Sequence, residues 1–526
     1  MYPTTSLIFV LFFAAAFTPP ASAPPANPGF FHIVDLQYSG DLLSYAVEDL
    51  NNDQLQDILI FSLHYGNSSG KERWLSIFLQ KTTGFDAEPD QSFQLPQDLV
   101  ICDTGDIAGD SRKELVYFGA GELRYLHMQG NAFDQKPISL WQTESIFILP
   151  DHNKVRRWDF VRDFNGDGHD DLFVQDFLQA RLFLRQPRGD WRENPLSIST
   201  ESRVYSYYDN RFSVGHKSDA LYSTPYILLD DFNLDGRADL MSVYKDSLLV
   251  FNLQPDGSFD AEHRTKIALD FGEVWNGAKI QRTHLDDKSE KRYLMRIKDV
   301  NHDGLLDIIN TRLSTKESLI NPETEVRIHL GRKNEAAANP GVFFPQQPDQ
   351  VIQPDGSMMV LDIIDLNSDQ RDDLVIPSIK IGVAQIIKML VTRSVSIEAS
   401  YYLMREDGRY PEKPDGSNTL TVKFAFKGGA ASPVYEIDDF NNDGLFDVLS
   451  SSDEERLLIY WGEQGKFIQA GAGEKFSVQL PQDGTLVRAA DLNGDHRADV
   501  IIGYDDDDRE RKRLPRMLRI LMAKPE

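Results

Sequence analysis

The chain has 526 residues, 82 Asp and Glu against 55 Lys and Arg, and a formal charge of −27. With no basic stripe to displace counterions from phosphates, nucleic acid is excluded as a partner and cations are favoured. The single cysteine, Cys102, excludes an intramolecular disulfide framework. It reads as a small buried residue of a strand at 99–102.

Residues 7–17 form an uninterrupted apolar run, followed by Ala21 and Ala23 at the spacing of a signal-peptidase site. Residues 1–23 are read as a cleaved secretory signal, although no Lys or Arg precedes Lys71. The alternative is an uncleaved anchor, but the run falls short of the ~20 apolar residues a spanning helix needs. No later stretch is long and apolar enough to span a bilayer. The remainder, 24–526, is expected to be exported, whether periplasmic, cell-surface or extracellular.

A strand at 30–36 opens this part, and an acidic loop of the form Asp-x-Asn-x-Asp-Gly-x-x-Asp then recurs. Four copies are complete: Asp163, Asn165, Asp167, Gly168 and Asp171; Asp231, Asn233, Asp235, Gly236 and Asp239; Asp299, Asn301, Asp303, Gly304 and Asp307; Asp439, Asn441, Asp443, Gly444 and Asp447. Three lose only the glycine: Asp49, Asn51, Asp53 and Asp57, with Gln54; Asp365, Asn367, Asp369 and Asp373, with Gln370; Asp491, Asn493, Asp495 and Asp499, with His496. A degenerate eighth copy, Asp106, Asp110 and Glu114, fills the gap between the first and third in chain order. The spacing defines a unit of roughly sixty residues.

Each loop is flanked by short apolar runs bounded by Gly, Pro, Asn and Asp, which read as antiparallel strands. In the fourth unit these are 226–229, 240–244, 248–253 and a last strand after the turn at 255–258. Four strands per unit is the size of a propeller blade. The predicted fold is therefore all-β, an eight-bladed propeller with seven blades as the alternative. The eighth unit ends after its third strand, and the spare strand at 30–36 supplies the missing one. A solenoid or a string of hairpins leaves those complementary strands unexplained.

Calcium takes six to eight oxygens, and flexible loops supply them from alternate Asp and Asn side chains. Positions 1, 3, 5 and 9 offer those side chains here, position 7 a carbonyl, and glycine at position 6 a φ > 0 turn. The competing explanation is an Asx-turn without metal. Against seven copies it is weak, because clustered carboxylates repel one another unless a cation offsets them. Several calcium ions, about four to seven, are expected, and the loop at Asp106 is expected to be an empty turn. Magnesium is disfavoured by its tight octahedron.

The repeated loop and the apolar strand after it, as at 231–243 and 439–449, resemble the FG-GAP/VCBS repeats of bacterial secreted proteins and integrin α-subunit propellers. The resemblance implies calcium at the matching Asp and Asn positions, on the face away from the usual ligand side. The chain departs from the integrin form in having eight units and only a trace of the Phe-Gly and Gly-Ala-Pro elements, at Phe118-Gly119-Ala120. No adhesion activity is carried over.

Specific function is expected on the opposite face. Tyr205, Tyr207, Tyr208, Arg211 and Phe212 form an aromatic-rich segment suited to sugar or protein contact, or else they cover an outer strand. A helical insertion is predicted at 382–393, over the channel. The charged run 505–513 reads as a solvated hairpin tip. No HExxH motif occurs. The favoured function is a monomeric binding or scaffold module for an unidentified protein or polysaccharide; the alternative is a secreted polysaccharide-active hydrolase or lyase.

Overall fold

A computed structural model describes residues 29–524, apart from 67–69, 120, 201, 210–213, 223, 245–246, 269–272, 275–289, 319–320, 335–340, 381, 383–390, 393 and 424–432. The signal segment lies outside the described residues, as does most of the insertion at 382–393.

Eight antiparallel sheets follow one another along the chain. Blade 1 comprises Asp41–Glu48, Asp57–Tyr65, Lys71–Phe78 and Gln91–Gln94; blade 2, Leu99–Gly105, Glu114–Gly119, Glu122–Leu126 and Ile138–Gln142. Blade 3 comprises Val161–Arg162, Asp171–Gln175, Ala180–Arg185 and Trp191–Leu196; blade 4, Tyr226–Asp230, Asp239–Tyr244, Ser247–Phe251 and Thr265–Ala268. Blade 5 holds Glu290–Lys298, Asp307–Ser314, Glu323–His329 and Gln350–Ile352, with Glu273–Val274 added in parallel to its first strand. In blade 6 the first strand is split into Ser357–Met358 and Asp362–Ile364, ahead of Asp373–Ile379, Ser394–Tyr402 and Gly416–Lys423. Blade 7 comprises Tyr435–Asp438, Asp447–Asp453, Arg456–Tyr460 and Glu474–Ser477. Blade 8 has Val487–Ala490, Asp499–Ile502 and Met517–Ala523, and its fourth strand is Phe31–Gln37 from the other end of the described chain.

Successive side chains of a strand face opposite sides of a sheet. In blade 1, Ile58 and Ile60 pack with Leu492, Ile501 and Ile520 of blade 8, while Leu59 and Phe61 pack with Leu115 and Tyr117 of blade 2. In blade 8, Val500 and Ile502 pack toward blade 7 and Ile501 toward blade 1. Both faces of the second strand are covered, which is why its sequence is a continuous apolar run instead of an alternation. The core is thus a ring of interfaces between neighbouring blades.

First strands lie on the axis. Those of blades 1, 2 and 3 contribute Glu48, Thr104 and Val161 to one cavity, and those of blades 5, 6 and 7 contribute Arg296, Asp362 and Tyr435 to another. Side chains also link them across blades: the Tyr435 hydroxyl donates to Asp362 at 2.8 Å, and the Ala489 amide to Glu436 at 3.2 Å.

The run 505–513 does join the antiparallel strands Asp499–Ile502 and Met517–Ala523, but it is not a solvated tip. Asp506–Lys512 is a helix, capped by the Asp505 carboxylate on the Asp508 amide and closed by Arg513 in the left-handed region. Asp508 is buried, accepts from the Gln482 amide at 2.8 Å and pairs with Arg511, so the run is tied to the connector between blades 7 and 8. Acidic residues in the first turn and basic ones in the last complement the helix dipole.

Candidate metal-binding loops

All eight acidic loops adopt one backbone. Position 9 is in every case the first residue of the second strand, from Asp57 to Asp499. Positions 4 and 6 both have positive φ throughout: Asn52 and Gln54, Gly109 and Ser111, Gly166 and Gly168, Leu234 and Gly236, His302 and Gly304, Ser368 and Gln370, Asn442 and Gly444, Gly494 and His496. A Cβ built on Gly168, Gly236, Gly304 or Gly444 meets nothing within 4 Å. Space therefore never demands the position-6 glycine; only φ favours it, and Gln54, Gln370 and His496 bear that strain at φ 71°, 70° and 64°.

The carboxylate at position 1 shapes the turn. In blade 1, Asp49 accepts from the Asp53 amide at 3.2 Å and the Gln54 amide at 2.9 Å, and Asp53 accepts from the Leu55 amide at 2.9 Å. Asp163, Asp299 and Asp439 repeat the position-1 pattern. Asn51 Oδ1 accepts from the Asp53 amide while its Nδ2 donates to the same carboxylate at 3.0 Å. Positions 1 and 3 are half-buried in all seven asparagine-bearing loops, and position 5 is half-buried or exposed.

Position 9 has a different environment. Asp57, Asp171, Asp239, Asp307, Asp373, Asp447 and Asp499 are fully buried. Asp447 Oδ2 accepts from the Phe440 amide at 2.9 Å, and Oδ1 from the Gly462 amide, just past the third strand, at 2.7 Å. Asp57 bridges Leu50 and Gln80 in the same way, and Asp499 bridges Leu492 and Ala523. This carboxylate staples the loop to the third strand. Burial raises Asp57, Asp171, Asp307, Asp447 and Asp499 to about 7, and Asp239 and Asp373 to about 6; the backbone donors oppose that rise and the carboxylates at positions 5 and 1 add to it.

The position-2 residue was not singled out from sequence, although its pattern is visible there. Leu50, Ile107, Phe164, Phe232, Val300, Leu366, Phe440 and Leu492 are all buried at blade interfaces. Its carbonyl also ties the loops together: the position-8 amides of Lys113 and Asp372 donate to Leu50 and Val300 of the preceding blade. The Gln56 amide donates to Leu492 at 2.9 Å, closing this belt between blades 1 and 8. Turns between third and fourth strands share the face. Gly257 of blade 4 accepts from Asn165 Nδ2, and Gln464 of blade 7 donates to the Asn367 carbonyl.

Among the described residues no group of three or more His, Cys, Asp and Glu side chains is placed to hold a metal ion. In the seven asparagine-bearing loops the candidate donor set comprises carboxylates at positions 1 and 5, an asparagine oxygen at 3 and the carbonyl at 7, because the position-9 carboxylate is buried and accepts from backbone amides. That set of hard oxygens fits calcium in kind, and in blade 4 the Asn233 oxygen is buried without a hydrogen-bond partner among the described residues. Blades 2, 4 and 6 contain a competitor: Arg112, Arg237 and Arg371 at position 7 pair with Asp110, Asp235 and Asp369 at 2.6, 2.6 and 2.5 Å. The blade 2 loop has Ala108 in place of the asparagine, and Arg185 donates to the Asp106 carbonyl at 3.0 Å.

Tyr205, Tyr207 and Tyr208 lie on Ser202–Asp209, which pairs with Val214–Tyr222 in a separate two-stranded hairpin between blades 3 and 4. Arg211 and Phe212 lie outside the described residues.

Residues 439–502 match the FG-GAP-like repeat family. That stretch runs from the blade 7 loop through the second strand of blade 8 and holds two of the acidic loops. No curated protein matches the sequence. Among solved structures, an Agrocybe aegerita lectin described by its recognition of non-reducing terminal N-acetylglucosamine is 14% identical, with 86% of this chain and 90% of that chain covered, at a TM-score of 0.39. The V. cholerae biofilm matrix protein Bap1 is 13% identical, with 94% and 91% covered, at a TM-score of 0.28. The chain is an eight-bladed β-propeller that carries an FG-GAP-like repeat.

Proposed function

We propose that this chain is an exported calcium-binding propeller that acts as a binding or scaffold module for a protein or polysaccharide. The observation that carries the metal half is the uniform loop, with two left-handed residues in every copy and a half-buried carboxylate at position 1 beside a half-buried or exposed one at position 5. Asp49, Asn51 and Asp53, and their counterparts in blades 3, 5, 7 and 8, would hold the ion with the position-7 carbonyl. Position 9 retains a second lone pair on each oxygen but acts first as a staple. In blades 4 and 6 the arginine on the position-5 carboxylate competes, so those loops bind more weakly. Calcium would offset the repulsion among loop carboxylates and stiffen the belt of loops that joins the blades.

Binding to the native state raises the melting temperature by mass action. Calcium added to an EDTA-treated sample is expected to shift the melt upward, with titration finding several sites. An unchanged melt without detectable binding contradicts the metal assignment. The binding half is tested by a glycan array and affinity capture alongside a hydrolase and lyase panel, and turnover of any glycan would overturn it.

A further inference from the structure

Where blades 1, 2 and 3 meet at the axis, a cavity of about 370 Å³ opens, with Glu48, Thr104, Lys113, Arg157 and Trp158 in its wall. That volume falls in the roughly 300–1,000 Å³ range of small-molecule sites. Part of the wall comes from the connector between blades 2 and 3, which lies along the first strand of blade 2: the Cys102 amide donates to the Arg156 carbonyl and the Trp158 amide to the Cys102 carbonyl.

The wall is preorganised. Trp158 packs on Phe147 and Phe173, with ring centroids 5.6 Å away in each case, and on Phe160 at 5.9 Å. Glu48 accepts from Lys113 at 2.9 Å and Arg157 at 2.8 Å. Asp103, also in the wall, uses one oxygen to accept from the Phe160 and Val161 amides, at 2.7 and 2.9 Å. Thr104 is only 6% exposed, and its hydroxyl has no hydrogen-bond partner among the described residues. Buried hydroxyls are rarely left unpaired, so this one has a hydrogen bond to offer to a bound molecule.

We propose that this cavity is a saccharide-binding subsite, taking a neutral sugar residue with its C–H face on Trp158 and its hydroxyls among Glu48, Lys113, Arg157 and Thr104. A sugar ring has an apolar face and hydroxyls that both donate and accept, and the wall supplies an aromatic face, carboxylate acceptors and cationic donors side by side. Glu48 and Asp159 match Lys113 and Arg157 in charge, so the wall lacks the net positive charge that an anionic ligand would need. The assignment rests on the binding-module reading and names its ligand class and place.

The test uses the full calcium-loaded chain. Free hexoses, 6-deoxyhexoses and N-acetylhexosamines are titrated by tryptophan fluorescence and saturation-transfer NMR, with inorganic phosphate and a hexuronate as anionic probes. At least one neutral sugar is expected to bind, and Trp158→Ala to weaken it by about tenfold or more, the equivalent of about 1.4 kcal/mol. Thr104→Val keeps the side-chain shape and removes the orphaned hydroxyl. It is expected to weaken binding by several-fold while leaving the melting temperature unchanged or higher, a combination that a purely structural hydroxyl would not give. Should Trp158→Ala not fold, Thr104→Val decides alone. Binding of no neutral sugar, or of the anionic probes only, overturns the proposal. Sugar binding that survives both substitutions overturns this site but leaves the binding-module reading standing.

Discussion

At the scale of single residues, the ionisable groups divide by what surrounds them. Asp103 is 6% exposed, and burial raises it to about 7; the Phe160 and Val161 amides lower it, and the Asp159 carboxylate adds to the rise. Lys113, Arg157 and Glu48 face the same cavity. An acid whose folded pKa exceeds its unfolded value near 4 binds protons more tightly when folded. Its contribution to stability is therefore fully present below about 4 and is lost as pH rises through about 7. In Asp103→Asn the amide oxygen can accept the same two backbone bonds without titrating. The stability of the variant relative to the parent is expected to increase between pH 4 and 8, by no more than about 4 kcal/mol. Urea denaturation of both chains across that range measures the difference; a gap independent of pH would mean that Asp103 is ionised throughout.

Among the elements, the staple at position 9 makes loop, second strand and third strand one unit. Asp447→Ala strands two buried amides, Phe440 and Gly462, and each buried donor left unpaired costs about 1–3 kcal/mol. Asp447→Ala in EDTA is therefore expected to lose about 2–6 kcal/mol by chemical denaturation. Asp443→Ala removes an exposed carboxylate and is expected to lose about 1 kcal/mol or less in EDTA, yet to abolish the calcium-induced gain at that loop. Equal losses for the two in EDTA would contradict this division between staple and ligand. The strands themselves were readable. Expectations at 172–174 and 240–244 fall within Asp171–Gln175 and Asp239–Tyr244, because a continuous apolar run after an acidic turn has few other solutions. The staple was not readable, since an aspartate at position 9 suits metal ligation and burial equally. Leu234 at φ 65° hid the second left-handed position. The helix at Asp506–Lys512 had its signals, an aspartate cap and charges ordered acid to base, but its anchor at Gln482 is distant in sequence. Trp158 and Arg157 reach the cavity only because their segment folds back along blade 2, which no local pattern encodes.

For the whole molecule, the ring stands or falls on its closure. Phe31–Gln37 pairs with Met517–Ala523 in unbroken antiparallel register, from Phe31 opposite Ala523 to Gln37 opposite Met517. The bidentate pair of Arg519 with Asp35, at 2.7 and 2.8 Å, helps fix that register. Leu36 is fully buried with Ile58, Phe78, Leu492 and Ile520, so the closing strand also seals the interface between blades 8 and 1. Without it, Met517–Ala523 becomes an unpaired apolar edge, the kind that recruits strands from other chains. A chain lacking residues 29–38 is therefore expected to melt lower and to self-associate in size-exclusion chromatography, where the parent is expected to elute as a monomer. A synthetic peptide of residues 29–38 supplies the same seven-residue register and is expected to return the truncated chain to monomer, whereas one carrying Leu36→Asp should fail. A truncated chain that stays monomeric with an unchanged melt would show that the blades hold the ring without their closing strand.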